Sequence, residues 1–427
     1  MKRILLLIPV LALALSSQAQ NLTLAINKDS GVYERGEPIV VKAATDTTDP
    51  IQVKVLKNNN TLILSANVMP VGDELPIFKY TFDSSCAIIV EARQGEAVAR
   101  IGAIVDPENL RPGFERPEDL DSYWDEQKQL LSDLPFEIKK EPMELSEEDA
   151  GYECFDIELN CIGPKPVRGY LAKPEGAAAK SLPIVIYFHA AGVKGHWCRS
   201  KYEDAVSKAH LGNGALSLDI NAHGMLNGQP ESYYEELENG ELNNYWDQGL
   251  ESRDTYYFRF MYLRLLRAIE FMTRQPEWDG QRILVYGESQ GGGQSFAAAG
   301  LDHRVTAVVA IVPAMCDFGG EMVNRKGGWN QPLRYHMDQP GIQNVLPYFD
   351  NAQLLKGSKA KIFVEIGLVD QTCPATSIFA ALNQAEGKKT VLTVPYRQHQ
   401  EPKGSLHKLW ENIAQQPRQA FIENYLK

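Results

Sequence analysis

The sequence predicts an α/β protein, a mostly parallel sheet with helices on both faces, preceded by a small N-terminal β-sandwich. Two observations predict it. From about residue 150 onward, apolar strand-like runs alternate with helical segments, the pattern of a parallel sheet joined by crossover helices. Before residue 106, short β-prone runs follow one another with only turn residues between them, the pattern of a sandwich.

The chain starts "MKRILLLIPVLALALSSQAQN". Lys2 and Arg3 form a basic start, Ile4 to Leu15 an apolar run and Ser17-Gln18-Ala19 a small-residue exit, as in a cleaved secretory signal over residues 1–19. The apolar run of roughly 12 residues is short for a bilayer. The reading therefore expects a secreted or periplasmic protein with no membrane insertion after cleavage. Removing Lys2 and Arg3 moves the formal charge from -12 to -14. Such an acidic balance argues against nucleic acid as a partner.

Residues 20–106 hold the runs "LTLAI", "PIVVKAA", "IQVKVL", "TLILSA", "CAIIVEA" and "ARIGAIV", separated by pieces such as "ERGEP" and "KNNN". They predict an immunoglobulin-like sandwich without an acid or histidine cluster, serving as a spacing module or a carbohydrate contact. Next, "DPENLRPGFERPEDLDSYWDEQKQLLSDLP" reads as a linker entering a docking helix, with Leu120, Trp124, Leu130 and Leu131 on its apolar face. Residues 107–427 form the second domain. "YECFDIELNCI" and "PVRGYLAKP" read as a hairpin; "LPIVIYFHA", "GALSLDIN", "RILVYGE", "VTAVVAIVP" and "AKIFVEIGLVD" read as buried parallel strands. Cys154 and Cys161 sit in one extended run, roughly 23 Å apart at about 3.3 Å per residue, so no disulfide is expected there. The cysteines lack the repeated spacing of a zinc site.

The chemistry concentrates in "LVYGESQGGGQS", residues 284–295. A strand, then Gly-Glu-Ser-Gln-Gly, then a helix beginning near Gly292 is the context that gives G-x-S-x-G meaning. A serine lifted above a sheet at a sharp turn needs small neighbours, supplied by Gly287 and Gly291. A nucleophilic serine also needs a base, and the base an orienting acid. In this strand-turn-helix class they follow in the order serine, acid, histidine. Asp370 closes "KIFVEIGLVD", and His399 follows the strand "VLTVPY". Ser289, Asp370 and His399 are thus the catalytic candidates, with Glu365, mid-strand, as the alternate acid. The N–H groups of Gln290 and of Ala191, in "FHAAGVKGHW", are candidates for an oxyanion hole. His189, His223 and Trp197 are candidates for a substrate pocket. Tyr233, Tyr234, Tyr245, Trp246 and Trp329 are further surfaces for stacking on sugar rings.

The segment from "YYFRFMYLRLLRAIEF" through "GESQGGGQS" to "VPAMCDF", with "IGLVDQTCPATSIFAALNQ" and "PEDLDSYWDEQKQLLSDLP", resembles the acetyl xylan esterase / cephalosporin C deacetylase family, carbohydrate esterase family seven. The resemblance covers roughly residues 107–427. It implies an α/β-hydrolase with Ser289, Asp370 and His399 in the nucleophile, acid and base positions. It also implies removal of acetyl groups from xylo-oligosaccharides and similar esters, without metal or cofactor. An acetylated carbohydrate is then the expected partner, and a homo-oligomer is open. The sequence departs from the family at "DINAHGMLNGQPESYY", where an Arg-Gly-Gln is usual, and in Gln400, which follows His399 where glutamate is usual. A peptidase of the prolyl-oligopeptidase type shares the triad order. Its propeller does not fit into about 90 residues. A carbohydrate-binding protein with an inactive hydrolase domain is the remaining alternative.

Overall fold

The computed structural model describes residues 21–71, 75–339 and 341–427; the leader assigned to residues 1–19 lies outside them. All six β-prone runs before residue 106 are strands, and two further strands join them. They are β1 (Leu22–Ile26), β2 (Val32–Tyr33), β3 (Ile39–Thr45), β4 (Ile51–Lys57), β5 (Thr61–Val68), β6 (Leu75–Tyr80), β7 (Cys86–Gln94) and β8 (Ala97–Val105). They pair as a three-stranded sheet, β1-β3-β6, and a five-stranded sheet, β2-β8-β7-β4-β5. Inward residues of both sheets, among them Val41, Val53, Phe78, Val90 and Ala103, share one core.

Burial along these strands follows from which faces are covered. In β4, Ile51, Val53 and Val55 are buried while Gln52 and Lys54 are exposed, the alternation of a strand with one wet face. In β7 and β8 the runs Cys86–Val90 and Ile101–Val105 are buried without a break. Their second face is covered by the larger domain, whose core includes Ala87 and Ile104.

The docking helix is α1 (Leu120–Asp133). It buries Leu120, Tyr123, Trp124, Gln127 and Leu131. Leu130, expected on that face, is exposed, because the 3.6-residue period carries the stripe from 120 through 124 and 127 to 131 and past it. The indole N–H of Trp124 donates to the Tyr348 carbonyl at 2.9 Å.

The larger domain holds one nine-stranded sheet. Its strands are β9 (Ile138–Pro142), β10 (Tyr152–Leu159), β11 (Val167–Pro174), β12 (Leu182–Phe188), β13 (Leu216–Ile220), β14 (Trp278–Glu288), β15 (Ala307–Ile311), β16 (Lys361–Gly367) and β17 (Lys389–Val394). The order across the sheet is β17-β16-β15-β14-β12-β13-β11-β10-β9. Six strands, β12 to β17, pair in parallel, and β9 to β11 form an antiparallel edge. Along β12, Ile184, Ile186 and Phe188 enter one core and Val185 the other, so a nearly all-apolar strand is what this sheet requires. Helices α2 (Tyr202–Ala209), α3 (Glu231–Asn239), α4 (Tyr257–Thr273) and α5 (Gln290–Leu301) cross over between strands, and the helix Gln416–Leu426 packs Ile422 and Leu426 on the second core. The six cysteines form no disulfide. Among the described residues no helix is long and apolar enough to cross a membrane.

Candidate active site

The loops after β12, β14, β16 and β17 meet at the carboxyl end of the parallel strands, where open α/β sheets build their sites. Helix α5 starts at Gln290, two residues before the expected Gly292, so Ser289 alone joins β14 to α5. Its backbone is left-handed, φ 54° and ψ -119°, a strained state for a residue with a Cβ. The surroundings over-determine it. The Ser289 N–H donates to Ile311 O at 2.8 Å, and its carbonyl accepts from the N–H of Gly293 and Ala314 at 3.0 and 2.9 Å. A Cβ on Gly287 would lie 2.3 Å from the Gly291 carbonyl carbon, and one on Gly291 2.0 Å from Phe188 O. The two glycines therefore let the serine turn close onto β12.

Ser289, Asp370 and His399 come together. His399 Nε2 lies 2.9 Å from Ser289 Oγ, and its Nδ1 lies 2.8 Å from Asp370 Oδ2. The other carboxylate oxygen, Asp370 Oδ1, accepts from the N–H of Thr372 at 2.7 Å and of Cys373 at 2.9 Å. The acid is buried while His399 is open on one side. Such a chain can draw the serine proton onto Nε2 while the acid holds the tautomer.

Ser289 and His399 border a cavity of about 980 Å³, lined also by Ala190, Ala191, Trp197, Glu288, Trp329, Glu401 and His407. Of the three pocket candidates only Trp197 lines it. Its indole is 64% exposed and donates to Ala191 O at 2.9 Å. His189 and His223 are buried and lie behind the loop instead. His223 Nε2 lies 2.9 Å from Gly192 O and its Nδ1 2.6 Å from the Tyr257 hydroxyl. Burial, with Arg264 nearby, pushes the His223 imidazole down to about 3, so it is neutral and donates from Nε2 to Gly192. His189 Nε2 sits 2.7 Å from Asp219 Oδ1 and its Nδ1 3.1 Å from Trp197 O. Burial opposes its charged form, but the Asp219 carboxylate outweighs that and raises its pKa. Both histidines brace the loop that carries Ala191, a role their neighbours in sequence do not announce. Of the other aromatic candidates, Trp329 lines the cavity. Tyr245 is buried and its hydroxyl bonds the Gln290 side chain at 2.5 Å. Tyr234 is buried and Tyr233 and Trp246 are partly so, packed on the core.

One feature escaped the sequence reading. Arg397, two residues before His399, is fully buried. It donates to Glu288, beside the serine, at 2.9 Å, and to Glu365 on β16. Glu365 also accepts from the Trp410 indole at 2.6 Å, so the alternate acid is occupied away from His399. Burial pushes the Glu288 carboxyl above the ordinary range, against the pull of Arg397. The arginine in "YRQHQ" and the lone acid in "IFVEIG" were the available signals.

Among the described residues, two trios bring one metal-ligating atom from each member within 4.8 Å of one another, namely Asp370, Cys373 and His399, and His189, Asp204 and Asp219. In each, the histidine and a carboxylate already share a hydrogen bond. Burial also holds the Cys373 thiol well above its usual value, which disfavours the thiolate that binds metals.

A model of the acetyl xylan esterase (AXE1) family matches residues 107–411. Over 300 residues the chain is 31% identical to the acetyl esterase Axe7A of Xylanibacter ruminicola, covering 69% of this chain and 66% of that protein. The chain thus spans just under two thirds of that relative's length. Among solved structures, an acetyl xylan esterase from Paenibacillus sp. R4 superposes with a TM-score of 0.61 at 25% identity, covering 75% of this chain and 98% of the other. Acetyl xylan esterase 1 from Thermoanaerobacterium sp. JW/SL YS485 shares the fold, with a TM-score of 0.58 at 22% identity over 72% of this chain and 96% of that one. With a family model matched over residues 107–411 on an α/β-hydrolase sheet, the chain belongs to the acetyl xylan esterase family.

Proposed function

We propose that the protein is a serine esterase that removes acetyl groups from plant polysaccharide fragments such as acetylated xylan or xylo-oligosaccharides, through an acyl-serine intermediate. The observation that carries this reading is the unbroken relay from Ser289 Oγ through His399 to the buried Asp370, at 2.9 and 2.8 Å.

Ser289 Oγ attacks the acetyl carbonyl carbon as its proton passes to His399 Nε2. Charge develops on the carbonyl oxygen, where the N–H groups of Gln290, at the start of α5, and of Ala191 are the proposed donors. Each such donor contributes about 3 kcal/mol to the transition state. The tetrahedral species collapses, and the sugar oxygen leaves with the proton from His399. Water then loses a proton to His399 and attacks the acyl-serine; acetate departs and Ser289 regains its proton. Asp370 holds Nδ1–H throughout and stabilises the imidazolium. Trp197 and Trp329, on the cavity wall, offer apolar faces to a sugar ring. The basic and apolar leader supports export to the periplasm or beyond, which fractionation of the expressing cells tests.

The test is release of p-nitrophenol from its acetate and of acetate from a panel of acetylated polysaccharides. The Ser289→Ala variant should lose roughly 10⁶-fold in kcat, as triad members do when removed singly. A folded variant that keeps its turnover, or a wild-type protein inert toward every acyl ester, overturns the reading.

A further inference from the structure

The sandwich does more than space the catalytic domain from its surroundings. Its five-stranded sheet rests on the two segments that carry Asp370 and His399. The Gly102 N–H on β8 donates to Pro395 O at 2.7 Å. A Cβ on Gly102 would lie 2.3 Å from Leu368 O, so the backbones meet there. The Thr393 hydroxyl donates to Ser30 O at 2.6 Å.

The sandwich reaches the acid loop itself through the β4–β5 turn, Asn58 to Asn60. Asn58 and Asn59 are left-handed, φ 56° and 54°, a conformation asparagine tolerates better than most residues. The turn is locked to β7 by Ala87, whose N–H donates to Asn58 Oδ1 at 3.0 Å and whose carbonyl accepts from Asn58 N–H at 2.8 Å. It is locked to the catalytic domain by Lys326 N–H donating to Asn58 O at 3.1 Å and by Arg334 donating to Asn60 Oδ1 at 2.7 Å. Between these anchors, Asn59 Nδ2 donates to the backbone carbonyl of Asp370 at 2.8 Å.

Three successive carbonyls of the acid loop are held in this way. Asp370 O accepts from Asn59, Gln371 O from Lys326 Nζ at 2.6 Å, and Thr372 O from Trp329 N–H at 3.1 Å and Gln331 Nε2 at 3.0 Å. The aim of the Asp370 carboxylate depends on this path, because Oδ1 is bound by the N–H groups of residues 372 and 373. We propose that Asn59 is a positioning residue for the esterase reaction: the sandwich completes the active site by fixing the Asp370 carbonyl and, through it, the Asp370–His399 bond. The proposal rests on the reading of Asp370 as the triad acid.

The test uses the full-length protein with Asn59→Gly, which can keep the left-handed turn and removes the side chain that carries the amide. Asp370→Asn is assayed in parallel with p-nitrophenyl acetate. Asn59→Gly should lower kcat between about 10- and 100-fold, the range for a small misplacement of catalytic groups, with KM unchanged. A misaligned carboxylate supports the His399 imidazolium less, so the acid limb of kcat/KM should move to lower pH. The charged groups that face the pair are unchanged in this variant: Lys326 and Arg100 across the acid loop, and Glu288, Glu401, Lys403, His407 and Lys408 around the cavity. A wild-type kcat overturns the proposal. So does a loss of kcat that follows a lowered Tm and leaves the limb in place. If Asp370→Asn is also fully active, the triad assignment itself falls; if only Asp370→Asn is impaired, the triad stands and the role of Asn59 does not.

Discussion

Replacing Arg397 by methionine tests how the three catalytic loops are tied together. Arg397 and Glu365 have no exposed side-chain surface, whereas Glu288 is 38% exposed. Arg397→Met therefore strands one carboxylate in the interior, with the Trp410 indole at 2.6 Å and Arg418 at 3.9 Å as its remaining partners. Glu288 is only partly buried and loses less than Glu365 does. Removing one partner of a buried pair costs about 3–5 kcal/mol, a large share of a typical total of about 5–15 kcal/mol. Removing both charges is different, because no ion is then buried unpaired. The double variant Arg397→Met/Glu365→Gln keeps an acceptor for Trp410 and should recover at least about 2 kcal/mol of the single variant's loss. Urea titrations of wild type, both singles and the double close the cycle and give the coupling energy. A single variant costing under about 1 kcal/mol, or a double no more stable than Arg397→Met, would falsify the view that these residues form one charge-compensated unit.

The buried imidazole of His223 makes stability depend on pH. It titrates at about 3 in the folded chain and near 6.5 when unfolded, so below 6.5 the unfolded state binds the extra proton. Stability is then full above about pH 6.5 and falls toward pH 3, by about 2 kcal/mol at pH 5. In His223→Gln the loss between pH 7 and pH 5 should shrink by that amount in urea titrations, and an undiminished loss refutes the assignment. For Trp197, the alanine variant should raise KM for acetylated xylo-oligosaccharides roughly three- to tenfold, the worth of an aromatic contact. Its KM for p-nitrophenyl acetate should stay near wild type, and Trp197→Phe should fall between. Equal changes on both esters would instead mark damage to the Ala191 loop, which the indole N–H holds.

The serine, acid and histidine could be read early because their chemistry imposes order and position. The serine needs a strand-to-helix turn without side chains around it, and Gly287 and Gly291 are visible in one dimension. Asp370 follows the buried strand "KIFVEIG" and His399 the half-buried strand "KTVLTV", and the parallel sheet brings such strand ends together. His189 and His223 resisted this logic. Apart from Trp197, eight residues from His189, their partners are Asp219, Gly192 and Tyr257, 30, 31 and 34 residues away, and a lone histidine beside "AA" or "NA" says nothing about which distant group it will meet. The Arg397 bridge was hidden for the same reason, since Glu288 and Glu365 lie 109 and 32 residues from it.

The sandwich held a clue of another kind. "IQVKVL" alternates apolar and polar residues, whereas "CAIIVEA" and "ARIGAIV" do not. A strand with one wet face needs only every second residue apolar. Two neighbouring strands apolar on both faces cannot belong to a sheet that meets water on its outer side, because the second row would be left exposed. The difference between β4 and β7 therefore already requires something apolar behind the five-stranded sheet. Among the described residues, the catalytic domain holds the large core that supplies it, and that core includes Ala87 and Ile104. The contact that sets Asn59 against Asp370 follows from that burial: once β7 docks, its neighbour β4 must end at the same boundary, and the turn after Lys57 must meet the carboxyl ends of the parallel strands or stop short of them. The left-handed asparagines place it in contact.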